Sequence, residues 1–261
     1  MTIVERRGLW NPEHYFKNSA TQFGHATELL KNYPFKGDEL ILDVGCGDGK
    51  ITAALANLVP NGQVIGLDKN STTINFSREK FPSNSYPNLS FLHGDVTHPS
   101  NLGKFDLIVS FSCLHFVKDQ LSALINIKNN MNENGHIILM LYRKCKAQWD
   151  ALNKTSAHTK WSHYFKNYDP GYYEYLPTSY QELLNASGLG RFKAEFTTEE
   201  QISYEDIETF TNFMKGWLPH LNILPKEHHD EFLSLFITDY LNNLNTSISK
   251  ITIPFVRLII A

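Results

Sequence analysis

With 261 residues, 42% hydrophobic and 20% charged, the chain has the composition of a folded globular protein long enough to bury a substantial core. Its formal net charge of -3 at pH 7 argues against a basic nucleic-acid surface. Residues 1–10 (MTIVERRGLW) lack the apolar stretch of a signal peptide, no apolar run reaches membrane-spanning length, and Cys46, Cys113 and Cys145 form no CxxC pair, so a reducing, cytoplasmic setting without membrane contact is expected.

In chain order, Asn11-Pro12 reads as a helix cap followed by proline at the first helical position, and a single helix over 11–32 is expected. It would carry Tyr15, Phe16, Ala20, Phe23, Leu29 and Leu30 on one apolar face. Short apolar runs then follow at Leu40–Val44, Val64–Asp68, Leu89–His93, Phe105–Phe111 and His136–Tyr142. Uninterrupted apolar runs suit strands buried on both faces. Helical stretches at Ile51–Leu58, Ser71–Lys80 and Gln120–Met131 separate most of them, the alternation of parallel βαβ units. A later helix is expected to open on a capping box formed by Ser179 and Glu182 and to end at Gly188, ahead of a strand at Phe192–Phe196. Ile251–Ile260 reads as one terminal strand paired with its sequence neighbour.

Two segments interrupt this plan. Residues 149–180 are rich in aromatic side chains, and 203–244 read as two helices. One helix places Ile207, Phe210, Met214 and Trp217 on a face; the other places Phe232, Leu233, Phe236 and Tyr240. The stripes are explained by packing alone, although some members could line a pocket. The histidines, including His228/His229 and His158/His163, lack carboxylate or thiol company, so no metal site is expected.

The first predicted strand runs into Asp43-Val44-Gly45-Cys46-Gly47-Asp48-Gly49 and then a helix. Glycines allow a tight turn and close ligand approach, and the helix start offers unpaired N–H groups. The spacing is GxGxG rather than the GxGxxG of dinucleotide sites. Asp43 is placed to face an amino group. Asp68, closing the second strand, is spaced to take two ribose hydroxyls. Asp95 after the third strand could accept from an adenine amino group while the Val96 N–H donates to a ring nitrogen. Each aspartate alone reads as a turn or cap residue; the ordered array at successive strand ends points to a nucleoside ligand.

The array DVGCGDG, GLD, GDV and FDLIVSFSCLHF resembles the motif series of class I S-adenosylmethionine methyltransferases over residues 38–142. The resemblance implies an α/β, Rossmann-like, seven-stranded mostly parallel sheet with the last strand antiparallel, and helical lid inserts on a single domain spanning 1–261. It implies S-adenosylmethionine as cofactor. Asp43, Gly45, Cys46 and Gly47 would then lie near its methionine end, with Ser110 and Phe111 beside them, Asp68 on the ribose, and Asp95 and Val96 at the adenine; Tyr15 and Lys69 complete the set.

Weaker similarities point to carboxyl O-methyltransferases acting on trans-aconitate, juvenile hormone acid and malonyl carrier protein. They rest on Trp10-Asn11-Pro12, Gln22, Leu114-His115-Phe116, Phe213-Met214-Lys215-Gly216 and Pro254–Leu258. A carboxylate is ionised at neutral pH and needs no general base, which agrees with the lack of an evident acid/base dyad. In those relatives a glutamine and an indole hold the acceptor carboxylate. Gln22 and Phe116 match the positions; Phe116 has no N–H, so His115 either takes over as donor or merely caps a turn. Trp149 and Trp217, with other aromatics of the inserts and of 11–32, would wall a lid pocket for an acid with an apolar portion, free or carrier-bound. Monomer and homodimer are both open. The competing readings are a hydroxyl, phenol or amine methyltransferase with His115 as base, and a cofactor-binding regulator without turnover.

Overall fold

The computed structural model describes residues 11–99, 101–246 and 251–261. Its packing falls into two compact units, the first comprising 19–142, 173–197 and 257–261, the second 143–172 and 198–256 together with the described residues 11–18. The chain passes between them five times.

Along the chain the helices are α1 (Pro12–Asn18), α2 (Ala20–Leu30), α3 (Lys50–Leu58), α4 (Ser71–Lys80), α5 (Gln120–Asn129), α6 (Lys146–Ser156), α7 (Pro177–Ala186), α8 (Ile207–Trp217) and α9 (His229–Asn243). The strands are β1 (Leu40–Val44), β2 (Gln63–Asp68), β3 (Leu89–His93), β4 (Phe105–Phe111), β5 (Met131–Tyr142), β6 (Ala194–Phe196), β7 (Glu200–Tyr204), β8 (Ile251–Phe255) and β9 (Arg257–Ile260).

The first unit is a seven-stranded sheet in the order β3-β2-β1-β4-β5-β9-β6. β1 to β5 pair in parallel, and β9 runs antiparallel to both β5 and β6. Successive strand residues alternate between two apolar clusters, so Leu42, Ile108, Ile137 and Leu139 join one while Ile41, Leu107, Val109 and Ile138 join the other. Helices covering both sides leave no strand face that must be polar, the physical reason these strands read as unbroken apolar runs. All strand carboxyl ends of the parallel set meet at one edge, where open α/β sheets bind ligands.

The second unit holds α1, α6, α8, α9 and the two-stranded antiparallel pair β7-β8. Trp161, Phe210, Phe232, Phe236 and Tyr240 are fully buried in its core. The two predicted helix faces are therefore spent largely on packing, with Ile207 and Trp217 only half-buried. No helix among the described residues is long and apolar enough to cross a membrane.

Three sequence expectations are corrected. The single helix over 11–32 is two helices that break at Ser19. The Ser19 hydroxyl takes an N–H from Lys50 Nζ at 3.1 Å and lies 3.4 Å from Asp48 Oδ2, which ties the residue to the β1–α3 turn. Tyr15 and Phe16 thus share no face with Leu29 and Leu30. Ser179 is not the cap of α7: the helix starts at Pro177, and the Ser179 hydroxyl bonds back to the Leu176 backbone. Ile251–Ile260 is interrupted at Val256, so β8 pairs with the unforeseen β7 in one unit and β9 with β5 and β6 in the other. Asn11 behaves as expected, accepting the His14 N–H at 3.0 Å ahead of Pro12.

Candidate active site

The turn after β1 is held to β2 by the amides of Gly45 and Cys46, which donate to the Leu67 carbonyl at 2.7 and 3.1 Å. Its glycines are not equivalent, though Gly45, Gly47 and Gly49 all have positive φ (75°, 53° and 78°). A Cβ on Gly45 would fall 2.1 Å from Cys113 Sγ, and one on Gly49 2.8 Å from the Phe91 ring. A Cβ on Gly47 would meet nothing nearer than the Gly45 carbonyl at 3.9 Å. The outer glycines are therefore required by the protein's own packing, whereas Gly47 faces open space in which a ligand can approach the backbone. α3 begins immediately behind; its first N–H, that of Lys50, is taken by Asp48 Oδ1 at 3.0 Å.

Three carboxylates surround this cradle. Asp43, 2% exposed, accepts the Thr52 hydroxyl at 2.7 Å. Burial, reinforced by Asp68 and Asp48, raises its pKa to about 7. Asp68 accepts the Gly47 N–H at 3.0 Å on one oxygen and the Asn70 N–H at 2.8 Å on the other, and burial raises its pKa as well. Asp95 accepts the N–H and O–H of Thr97 at 2.9 and 2.8 Å, both on Oδ1. Burial works against ionising Asp95, but these bonds outweigh it and hold the pKa below the ordinary value. Val96 is fixed by its carbonyl, which accepts from Asn126 at 2.8 Å. None of the three aspartates forms a salt bridge among the described residues. Asp43 alone is buried with no cation acting on it, whereas Lys69 lies near enough to Asp68 and Asp95 to favour their ionised forms; a buried carboxylate without a cation favours a ligand that brings positive charge.

Other expected cofactor residues take different places. Cys46 is buried in the core on one sheet face. The Ser110 hydroxyl donates to the Val44 carbonyl at 2.8 Å, clamping β4 to β1, and Phe111 is buried at the end of β4. Lys69 has an exposed side chain, and its carbonyl lies 3.0 Å from His93 Nε2. Tyr15 lies in the second unit, where α1 packs beside Gly216 of α8. Cys113 is a buried thiol whose pKa burial lifts to about 12, the packing role rather than a nucleophile's.

The expected acceptor-binding residues separate into two groups. In the first unit, Gln22 is buried on α2 with no hydrogen-bond partner for Oε1 among the described residues. One turn on, His25 Nδ1 lies 2.7 Å from the Tyr142 hydroxyl. The Tyr142 N–H in turn points to His115 Nδ1 at 3.4 Å, and the Tyr173 N–H donates to the His115 carbonyl at 2.7 Å. His115 sits in a one-turn helix, Leu114–Phe116, braced by Gln120, whose side-chain amide donates to the carbonyls of Leu114 and Val117 at 2.5 and 2.7 Å. Burial drives the His115 pKa down to about 3. It is therefore neutral at physiological pH, and with Nδ1 accepting, its proton resides on Nε2. The Phe116 ring lies 4.5 Å from the His115 ring. In the second unit, Trp149 lies 5.2 Å from Tyr172, which lies 6.4 Å from Trp217.

Tyr142, His25 and Thr52 were missed from sequence. Thr52 had a detectable signal, a hydroxyl in the first helical turn after a glycine-rich strand end. The Tyr142 contact joins segments far apart in the chain and left none.

Residues 35–184 match the family model described as a methyltransferase domain. A methyltransferase-named protein of Invertebrate iridescent virus 6 is 27% identical over 98% of this chain and 95% of its own. Juvenile hormone acid O-methyltransferase of Drosophila melanogaster is 28% identical over 77% of this chain and 70% of its own. Trans-aconitate 2-methyltransferase of Deinococcus radiodurans is 30% identical over 48% and 46%. The solved structure of the YcgJ protein of Bacillus subtilis superposes with a TM-score of 0.60 at 14% identity, covering 91% of this chain and 97% of that one. The chain belongs to the methyltransferase family. Methyltransferases of this family use S-adenosylmethionine, and the residues at the sheet edge fit it: an open glycine cradle for the backbone approach, and in Asp43 a buried carboxylate with no cation acting on it, suited to a ligand carrying an ammonium and a sulfonium.

Proposed function

We propose that this methyltransferase O-methylates a carboxylate of a small-molecule or carrier-bound acid. One observation carries the reading: His115, the imidazole in the turn after β4, is buried, which holds its pKa down to about 3, too weak a base to serve as a general base at neutral pH. A phenol, alcohol or ammonium acceptor would need such a base, whereas a carboxylate arrives ionised. The relatives named for juvenile hormone acid and trans-aconitate act on acids, which supports the same reading.

S-adenosylmethionine, when bound, supplies a methyl group on a positively charged sulfur. Asp43 and the amides of Gly45 to Gly47 would hold its amino-acid end. Asp68 would take the ribose hydroxyls on the lone pairs left after its bonds to Gly47 and Asn70, and Asp95 and Val96 the adenine. Gln22 and the His115 Nε2–H would orient the acceptor carboxylate. Orientation with exclusion of water lowers such a barrier by about 7–11 kcal/mol, so no proton transfer is required of the protein.

The test is methyl transfer from labelled cofactor to a panel of free acids, acyl carriers and phenols. Base-labile label on an acid is expected, with a rate that does not fall between pH 8 and pH 5 through His115. Label confined to base-stable products would overturn the reading.

A further inference from the structure

The carboxylate-lined cradle has a lysine beside Asp43 and Asp48. Lys50, the first residue of α3, is half-buried; its Nζ donates to the Ser19 hydroxyl at 3.1 Å and lies 5.9 Å from the centroid of the Phe23 ring. Burial lowers its pKa, and Asp48 offsets part of that. Asp48 is itself buried, accepts the Lys50 backbone N–H at 3.0 Å, and is one of the anions that raise the pKa of Asp43. Lys69 acts instead on Asp68 and Asp95, the pair assigned to the nucleoside. Ser19, Phe23, Asp43, Asp48 and Lys50 all belong to the first unit. A hydroxyl and a ring face return only part of the hydration that a buried ammonium gives up. An ionised acceptor makes a hydrogen bond roughly twice as strong as a neutral one, so a carboxylate is a better partner for Nζ than the Ser19 hydroxyl.

The amino-acid end of S-adenosylmethionine carries such a group, an ammonium and a carboxylate on one carbon. Asp43 suits the ammonium. The carboxylate enters a turn where Asp43, Asp48 and Asp68 already act on one another, and like charges oppose it unless a cation stands beside it. Resting on the cofactor placement above, we propose that Lys50 takes this carboxylate, so that the amino-acid end is recognised as a zwitterion, its ammonium by Asp43 and its carboxylate by Lys50. One ionic contact leaves a flexible chain free to swing about it. Two contacts of opposite sign fix its direction, and with it the orientation of the sulfonium that in-line transfer demands.

Binding tests this without turnover. Dissociation constants for S-adenosylmethionine and for its decarboxylated analogue, which keeps the ammonium and the sulfonium, are measured by calorimetry. The proteins are wild type, Lys50→Met and Lys50→Arg, with thermal unfolding as the check on folding. Wild type is expected to bind S-adenosylmethionine about tenfold more tightly than the analogue, the scale of one hydrogen-bonded charge contact. Lys50→Met loses that preference: S-adenosylmethionine weakens about tenfold, while the doubly cationic analogue binds as tightly as before or more tightly. Lys50→Arg keeps most of the wild-type preference. Wild-type affinities within about twofold of each other overturn the proposal with no variant needed. Equal weakening of both ligands in a folded Lys50→Met protein also overturns it, in favour of a lysine that only braces the turn through Ser19 and Asp48. No acceptor is present, so failure to methylate acids counts against the carboxylate-acceptor reading alone, and Asp43→Asn tests the ammonium contact separately.

Discussion

On the proposed cofactor site, Asp43 would have opposite effects in the free and the loaded enzyme. Burial raises its pKa from 3.8 to about 7, so the folded chain binds its proton more tightly than the unfolded chain does. The stabilising contribution is full below pH 3.8 and is lost as pH rises through about 7. Asp43→Asn, which keeps an acceptor for Thr52, is expected to raise the melting temperature of the ligand-free protein at pH 8 and to leave it nearly unchanged at pH 4. The same variant should weaken S-adenosylmethionine binding tenfold or more by calorimetry if Asp43 is the anion that faces the ligand, as proposed. The neighbouring glycines give a sharper contrast. Gly45→Ala collides with Cys113 and places alanine at φ 75°; it should cost at least about 2 kcal/mol in denaturant unfolding. Gly47→Ala meets no atom of the protein. It should cost only about 1 kcal/mol of left-handed strain while cofactor affinity falls by more than an order of magnitude. Equal stability loss in the two would show that Gly47 is a packing glycine as well.

At the scale of elements, α4 links stability to the cofactor side of the sheet. The Asn70 side chain accepts the N–H groups of Thr72 and Thr73 at 3.0 and 3.3 Å, and the Asn70 backbone N–H donates to Asp68 Oδ1 at 2.8 Å. Asn70→Ala is expected to cost about 1 kcal/mol as a lost cap and to lower hydrogen-exchange protection first at the start of α4. Protection lost uniformly along the helix would argue against a capping role. Elements were legible in the sequence in proportion to how completely they are buried. β1 and β4, apolar on both faces, were located with their limits, and the turns of Asp43, Asp68 and Asp95 followed because ligand-binding residues of this fold sit where strands end. β7, half-exposed as Glu-Gln-Ile-Ser-Tyr, carries too weak an apolar signal to mark a strand. Val256 splits a run whose two halves are equally β-prone, so only the partners available to each half decide the break. At Ser19, nothing local ends the helix; the hydroxyl is drawn to Lys50 and Asp48 by the tertiary fold.

For the molecule as a whole, an Asp43 that faces the cofactor as proposed would make ligand binding and folding respond to pH in opposite directions. A ligand that binds only the folded state stabilises it by about 2.7 kcal/mol at one hundred times its dissociation constant. With S-adenosylmethionine at fixed concentration, the rise in melting temperature should grow as pH increases from 6 to 8, while the ligand-free melting temperature declines. A cofactor-induced shift independent of pH over that range would show that Asp43 does not face the ligand. The five passages of the chain between its two units also bear on how this protein can have changed over time. Neither unit is a contiguous stretch of gene, so recombination at a single pair of points cannot exchange the aromatic unit of one relative for that of another.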